Sequence, residues 1–257
     1  MSFYKKSLTT LELPAVLQML SAEAVSDTAK ELALELEPSD DVHEVRRRLE
    51  ETTAAKTMMT VRGGPGFSGV KDVRASLARA DLGGALNTRE LMDTARVLQC
   101  ARLVRGYIAD DSVGKTTIDS LFYALRANKF LEEKINTSIV GEDEIADSAS
   151  PELMSIRRQM RAAAARARDV LTKIISSPSY AKALQEPIIT MRSDRYVVPV
   201  KADHKGAVPG LVHDISASGM TLFIEPMGAV KANNELRELN AREKIEIDRI
   251  LAELSAD

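Results

Sequence analysis

The chain has 257 residues, 44% of them apolar and 28% charged, with a formal net charge of −3. This length can bury one or two ordinary cores. No apolar run nears the roughly 18 residues of a membrane span, and the lone Cys100 excludes a disulfide framework. The N-terminus lacks the apolar stretch of a signal peptide, so a reducing cytoplasm is the expected compartment. A uniformly basic nucleic-acid binder is also excluded, yet the charge is uneven. It is −5 over 1–150, +4 over 151–177, +2 over 178–210 and −4 over 211–257, and local asymmetry says more about partners than the total. Few aromatics (4%) and recurrent Ala, Leu, Glu and Arg favour helices.

Leu11, Leu13, Val16, Leu17 and Leu20 give one face of a helix ending near Ser21. A second helix is expected from Ser26 to Leu36, halted by Pro38. Asp41 and Glu44 form a capping-box pair that opens a third, through Val61. RGGPGFSG, 62–69, is a loop. Asn87 and Glu90 cap a helix over 88–109, and another is expected over about 116–136. The acidic stretch Gly141–Ser150 reads as a linker.

Ser150-Pro151 is a strong helix start. Leu153, Met160, Ala167 and Ile174 then fall seven apart, with Ile156, Ala163 and Val170 between them, so this helix should pair along its length with another. After Pro178 come β-rich runs, Ile188–Arg192, Tyr196–Lys201, Leu211–Ile215 and Thr221–Glu225. The turn pairs Ser193-Asp194, Lys205-Gly206 and Ser218-Gly219 separate them, and Pro199 suggests an edge strand or a bulge. From about Gly228 to Leu254 a helix returns, striped by Leu236, Leu239, Ile247, Ile250 and Leu254. The expected fold is mainly α. A helical core domain fills 1–149, and a long antiparallel coiled-coil arm fills 150–257, tipped by a small antiparallel β-rich clamp at about 187–226.

Several motifs fail on context. GPGFSG, 64–69, has dinucleotide-loop spacing but no preceding strand. VGKTT, 113–117, resembles the end of a P-loop, but Ala109 stands where its first Gly belongs. His43, His204, His213 and Cys100 lack metal-ligand spacing. His213, Asp214, Ser216 and Ser218 invite a hydrolase reading, but strand neighbours point to opposite faces and no nucleophile elbow is present. Neither catalytic residues nor a bound cofactor or metal are expected. The basic run from Arg157 to Lys173 reads either as the solvated face of a coiled coil or as an electrostatic footprint for phosphates. Arg192, Arg195, Lys201, His204 and Lys205 at the β-rich tip favour the phosphate reading and are the candidate nucleic-acid contacts.

The segment RYVVPVKADHKGAVPGLVHDISASGMTLFIEP, 195–226, closely resembles the clamp of the second bacterial branch of the MutS family, the branch bearing an Smr-type nuclease domain. The segments at 8–20, 70–98 and 150–160 support the likeness in the family's order. The resemblance implies a helical core, levers and a clamp, followed in the parent by a dimerising ABC-type ATPase that uses ATP and Mg. It also implies suppression of homologous recombination by endonuclease action, and rescue of collided ribosomes, with DNA or rRNA as partner and no membrane. Before Leu8 there is no room for mismatch-reading domains, and the chain stops at Asp257, within or just after the returning arm. No complete P-loop, Walker-B segment or nuclease motif is present, so ATPase and nuclease chemistry belong to the parent. Two readings stand: a non-catalytic nucleic-acid clamp, or a structural lever that docks ribosomal protein or a second subunit without touching nucleic acid.

Overall fold

Several helix starts in this chain are set by short polar side chains that satisfy otherwise orphaned backbone N–H groups. In the computed structural model, which describes residues 5–108 and 114–257, Ser26 accepts from Ala29 N–H, Asn128 from Leu131 N–H and Ser150 from Leu153 N–H. Asn87 and Glu90 form the expected reciprocal box, at 2.9 and 3.0 Å. At Asp41 the box is incomplete. Asp41 accepts from His43 N–H, while Glu44 turns away to Ser39 and Arg48.

The helices of the first half are α1 (Lys5–Thr10), α2 (Leu13–Glu23), α3 (Asp27–Leu34), α4 (Val42–Arg62), α5 (Arg74–Asp81), α6 (Thr88–Tyr107), α7 (Asp119–Ala124) and α8 (Lys129–Ser138). Three expectations change. The segment at 116–136 is two helices, because Leu125 turns extended and Asn128 caps a new start. The expected linker instead holds a small antiparallel hairpin, β1 (Ile139–Gly141) and β2 (Glu144–Ile145), then a 3-10 turn, Asp147–Ala149. Buried Ile139 and Ile145 anchor that hairpin, a signal the acidic residues between them mask. Helix α5 carries no strong stop or start signal and was not anticipated.

The second half begins with α9 (Pro151–Ile175), continues through β3 (Thr190–Arg192), β4 (Arg195–Lys201), β5 (Gly210–Ile215) and β6 (Thr221–Pro226), and ends in α10 (Met227–Ala256). The sheet is antiparallel in the order β3-β4-β6-β5. Pro199 therefore lies on an interior strand, not on an edge or in a bulge. Lys201 N–H donates to Ala183 O, and Pro199 O accepts from Gln185 N–H. Residues two apart in a strand point their backbone groups the same way. The N–H that proline lacks would thus have faced 183–185, and pairing with β6 does not need it.

Close packing divides the chain into two units, Met1–Ala146 with Leu251–Asp257, and Asp147–Ile250. In the first, Met58, Val104, Ile118 and Phe122 form a buried cluster joined by Cys100 and Tyr107. In the second, one face of the sheet (Val198, Val200, Leu222, Ile224) shares a core with Ala163, Ala167 and Leu171 of α9 and Ala229, Ala232 and Leu236 of α10. The buried stripe of α9 ends on Leu171, while Val170 and Ile174 are only partly buried. A straight helix at 3.6 residues per turn drifts off a strict seven-residue repeat in this way. Side-chain pairs Ser150–Glu246, Glu152–Arg242 and Arg166–Glu235 run in opposite chain directions, so α9 and α10 are antiparallel within this unit.

Candidate nucleic-acid interface

The hairpin β3-β4 turns on Ser193 and Asp194, both left-handed (φ 49° and 59°). Two consecutive positive-φ residues suit the right-handed twist of adjoining strands. The turn places Arg192 directly opposite Arg195. These two arginines meet different fates.

Arg195 is drawn inward, with its side chain only 13% exposed against the fully buried Glu225. Its Nη1 donates to both Glu225 oxygens, at 2.8 and 3.0 Å, and its Nη2 to Asn234 Oδ1 at 2.8 Å. Asn233, also buried, donates to Glu225 Oε1 at 2.7 Å and exchanges bonds with Tyr196 N–H and O. His213 completes the shell through Nε2, at the point where β5 slips register between Val212 and Asp214. Burial would raise the Glu225 carboxyl, but the bonds from Asn233, His213 and Arg195 outweigh it and hold the group below the usual carboxylate range. The approach is so tight that a Cβ on Gly210 would lie 2.2 Å from Glu225 O. Arg195 thus serves an internal network and not the outer surface expected of it. His213 is likewise held by Glu225, and Ser216 Oγ accepts from Thr221 N–H within the turn before β6.

Arg192 stays half exposed. It lies over the Phe223 ring, 4.2 Å from its centroid, and pairs with Asp214 at 3.2 Å. Lys201, His204 and Lys205 lie past the opposite end of β4. Six residues of extended chain separate positions 195 and 201, roughly 20 Å. The expected five-residue set is therefore split between two ends of the sheet.

At the second end Lys201 Nζ donates to the backbone O of Lys182, 3.1 Å away, so the Lys182 backbone lies beside the Lys201 side chain. Lys182 and Lys205 are exposed, and among the described residues none of the three lysines pairs with a carboxylate. His204 pairs with Asp203 at 2.9 Å, and its hydrogen bond lowers the Asp203 carboxyl. Sequence spacing gave no sign of Lys182, because the segment at 183–185 that delivers it is an isolated pairing with Val200. Half of the basic run on α9 is paired with carboxylates, and Arg158, Arg168 and Lys173 form no ion pair among the described residues. Arg157 pairs with Glu243 and Asp147, Arg161 with Asp147 and Arg166 with Glu235. Arg168 lies over Tyr196.

Residues 64–69 join α4 to α5 with no strand before them, and Gly66 O accepts from Cys100 Sγ. Of the P-loop-like string, Ala109 and Val113 lie outside the described residues. Among the described residues, no cluster of three or more His, Cys, Asp or Glu could hold a metal ion, and no helix is long and apolar enough to cross a membrane.

No protein-family model matches the chain. Individual proteins do. One from Ruminiclostridium cellulolyticum, named Endonuclease MutS2, is 48% identical over 255 residues, covering 98% of this chain and 32% of that protein. This chain is a MutS2 relative. MutS2 proteins of Acetivibrio thermocellus and Pelotomaculum thermopropionicum match at 45% and 46% identity, again over 98% of the chain. The chain spans about a third (32%) of the length of these MutS2 relatives. The MutS-family resemblance of the clamp segment therefore extends along nearly the whole sequence.

Proposed function

We propose that this chain is a nucleic-acid grip that holds DNA or RNA by its sugar-phosphate backbone and performs no chemistry itself. The supporting observation is that Lys201, whose Nζ meets the Lys182 backbone, and the exposed Lys182 and Lys205 stay out of ion pairs in a unit where most arginines are paired. Lysines in this condition bind phosphate by displacing counterions and do not read sequence. In this reading α9 and α10 form the arm and the sheet forms the clamp at its end. The parent, in the cytoplasm, is a homodimeric ATPase and endonuclease using ATP and Mg in its remaining two thirds. Its work is suppression of recombination or rescue of collided ribosomes.

Titration of labelled DNA and RNA duplexes over a range of salt tests the grip. Changing Lys182, Lys201 and Lys205 together to Gln is expected to weaken binding alike for all sequences and to flatten the log–log salt dependence by up to about 3. Unchanged affinity at low salt refutes the reading. A second reading, a lever that docks protein, draws support from the ion pairs that tie Arg157 and Arg166 of α9 to α10. It predicts no binding of nucleic acid even at low salt.

A further inference from the structure

The helices of the first unit leave an apolar wall without cover. On α4, Val45, Leu49, Thr52, Ala55 and Met59 recur at steps of three and four residues, and all line one open cleft of about 1140 Å³. Residues so spaced share one face of a helix, and the rise per residue makes this stripe roughly 20 Å long. Val25, just before α3, and Leu121 of α7 line the same cleft, and Leu49 and Leu121 are each 62% exposed. The buried cluster of Met58, Val104, Ile118 and Phe122 also reaches it. The cleft therefore opens directly onto the core of its own unit.

That continuity decides what kind of occupant fits. Transient interfaces are about as apolar as the remaining surface, whereas permanent ones resemble a domain core cut in half. A cavity that holds one benzene is about 150 Å³, so this cleft has room for several large side chains. A groove about four turns long beside a helical stripe suits an amphipathic helix with anchors at i, i+3 or i+4, and i+7. At the rim, Arg48 is held by Glu44 and Glu51 by Arg47. Glu23 and Glu37 are exposed there and, among the described residues, form no ion pair. The uncompensated rim charge is negative, so the matching helix carries Lys or Arg beside its apolar stripe. MutS2 relatives have ample chain to supply it, since this sequence spans 32% of their length.

We propose that the cleft seats an amphipathic helix, about 14 residues long and basic along its flanks, from the two thirds of a MutS2 polypeptide outside this sequence. Its arrival completes the core of the first unit and covers α2 and α3, which contain no buried residue of their own. The seat ties this unit to the remainder of the protein, and it is independent of the nucleic-acid grip.

Two measurements test it. Amide exchange is compared between the 257-residue chain and the full-length MutS2 protein of Ruminiclostridium cellulolyticum. Segments matching 13–34 and 42–59 are expected to exchange at least roughly tenfold more slowly in the longer protein. In that protein, a photoreactive benzoylphenylalanine at the position matching Leu49 is expected to crosslink, within one polypeptide, to a basic amphipathic segment outside the 255 matched residues. Aspartate at that position should erase the slow exchange. In the 257-residue chain, Leu49→Asp should leave the unfolding midpoint unchanged, because the residue is already exposed. Equal exchange in the two proteins overturns the proposal, as does a crosslink that is absent, confined to the matched region or made to a second chain.

Discussion

Glu225 is the residue on which the second unit turns, because β4, β5 and α10 each send it a donor. Removing its charge leaves Arg195 largely buried against a neutral partner, and breaking a buried pair from one side typically costs about 3–5 kcal/mol. Glu225→Gln, which keeps the shape, is expected to lower stability by about 3 kcal/mol in urea unfolding. A loss below the error of that measurement would show that His213 and Asn233 carry the site without the charge. The same logic explains why Arg195 misleads a reader of the sequence. Its neighbours in the chain are strand residues with an exposed turn before them, and nothing local announces that residues 30 and more positions later will enclose it. Lys205 is exposed past the end of β4, whereas Lys201 is only partly exposed and donates to the backbone of Lys182.

At the scale of elements, the caps were the most readable signals, since a cap depends on three or four consecutive residues and little else. Ser150 goes beyond its cap. Its Oγ accepts from Leu153 N–H and donates to Glu246 on α10 at 2.6 Å. Hydrogen bonds from Arg249 and then from Ser150 depress the Glu246 carboxyl from 4.5 to about 2. A depressed acid stabilises fully above its unfolded value, so this contribution is present above pH 4.5 and fades as pH falls toward about 2. Ser150→Ala is expected to cost about 1–2 kcal/mol at neutral pH, from the lost cap and the lost side-chain bond. The gap from wild type should narrow below pH 4.5, as Glu246 protonates in both proteins. A constant difference across that range, followed by circular dichroism in urea, would exclude the link to Glu246. Less readable were the break at 125–128 and the hairpin at 139–145, which hang on single extended residues and on burial, neither visible in periodicity. The edge strand β5 is guarded by the same bulge that frees His213, and Asp214 Oδ1 takes Ile215 N–H for itself. Such devices discourage another strand from adding to the sheet.

Across the whole molecule the two units differ in how well their helices are buried. Neither α2 nor α3 contains a buried residue. Leu11, Met19 and Leu32 are exposed, and an open apolar cleft of about 1140 Å³ lies among Val25, Leu49, Met59, Phe67 and Leu121. Segments with few buried apolar contacts open first. Limited proteolysis is therefore expected to cut within 11–41 well before 150–250, and amide exchange should follow the same order. Equal protection of both regions would mean that something covers α2 and α3 in solution. The sequence foretold this only in part. An amphipathic pattern fixes which face of a helix is apolar but not whether a neighbour arrives to cover it. Helix α9, by contrast, buries Ala163, Ala167 and Leu171 in a core shared with the sheet and with Ala229, Ala232 and Leu236 of α10. One feature of the sheet bears on how the chain reaches its fold at all. Because the donor missing at Pro199 faces away from β6, sliding β4 by one residue would turn that blank toward its partner and carry Val198 and Val200 out of the core. The proline acts as a key cut for a single register.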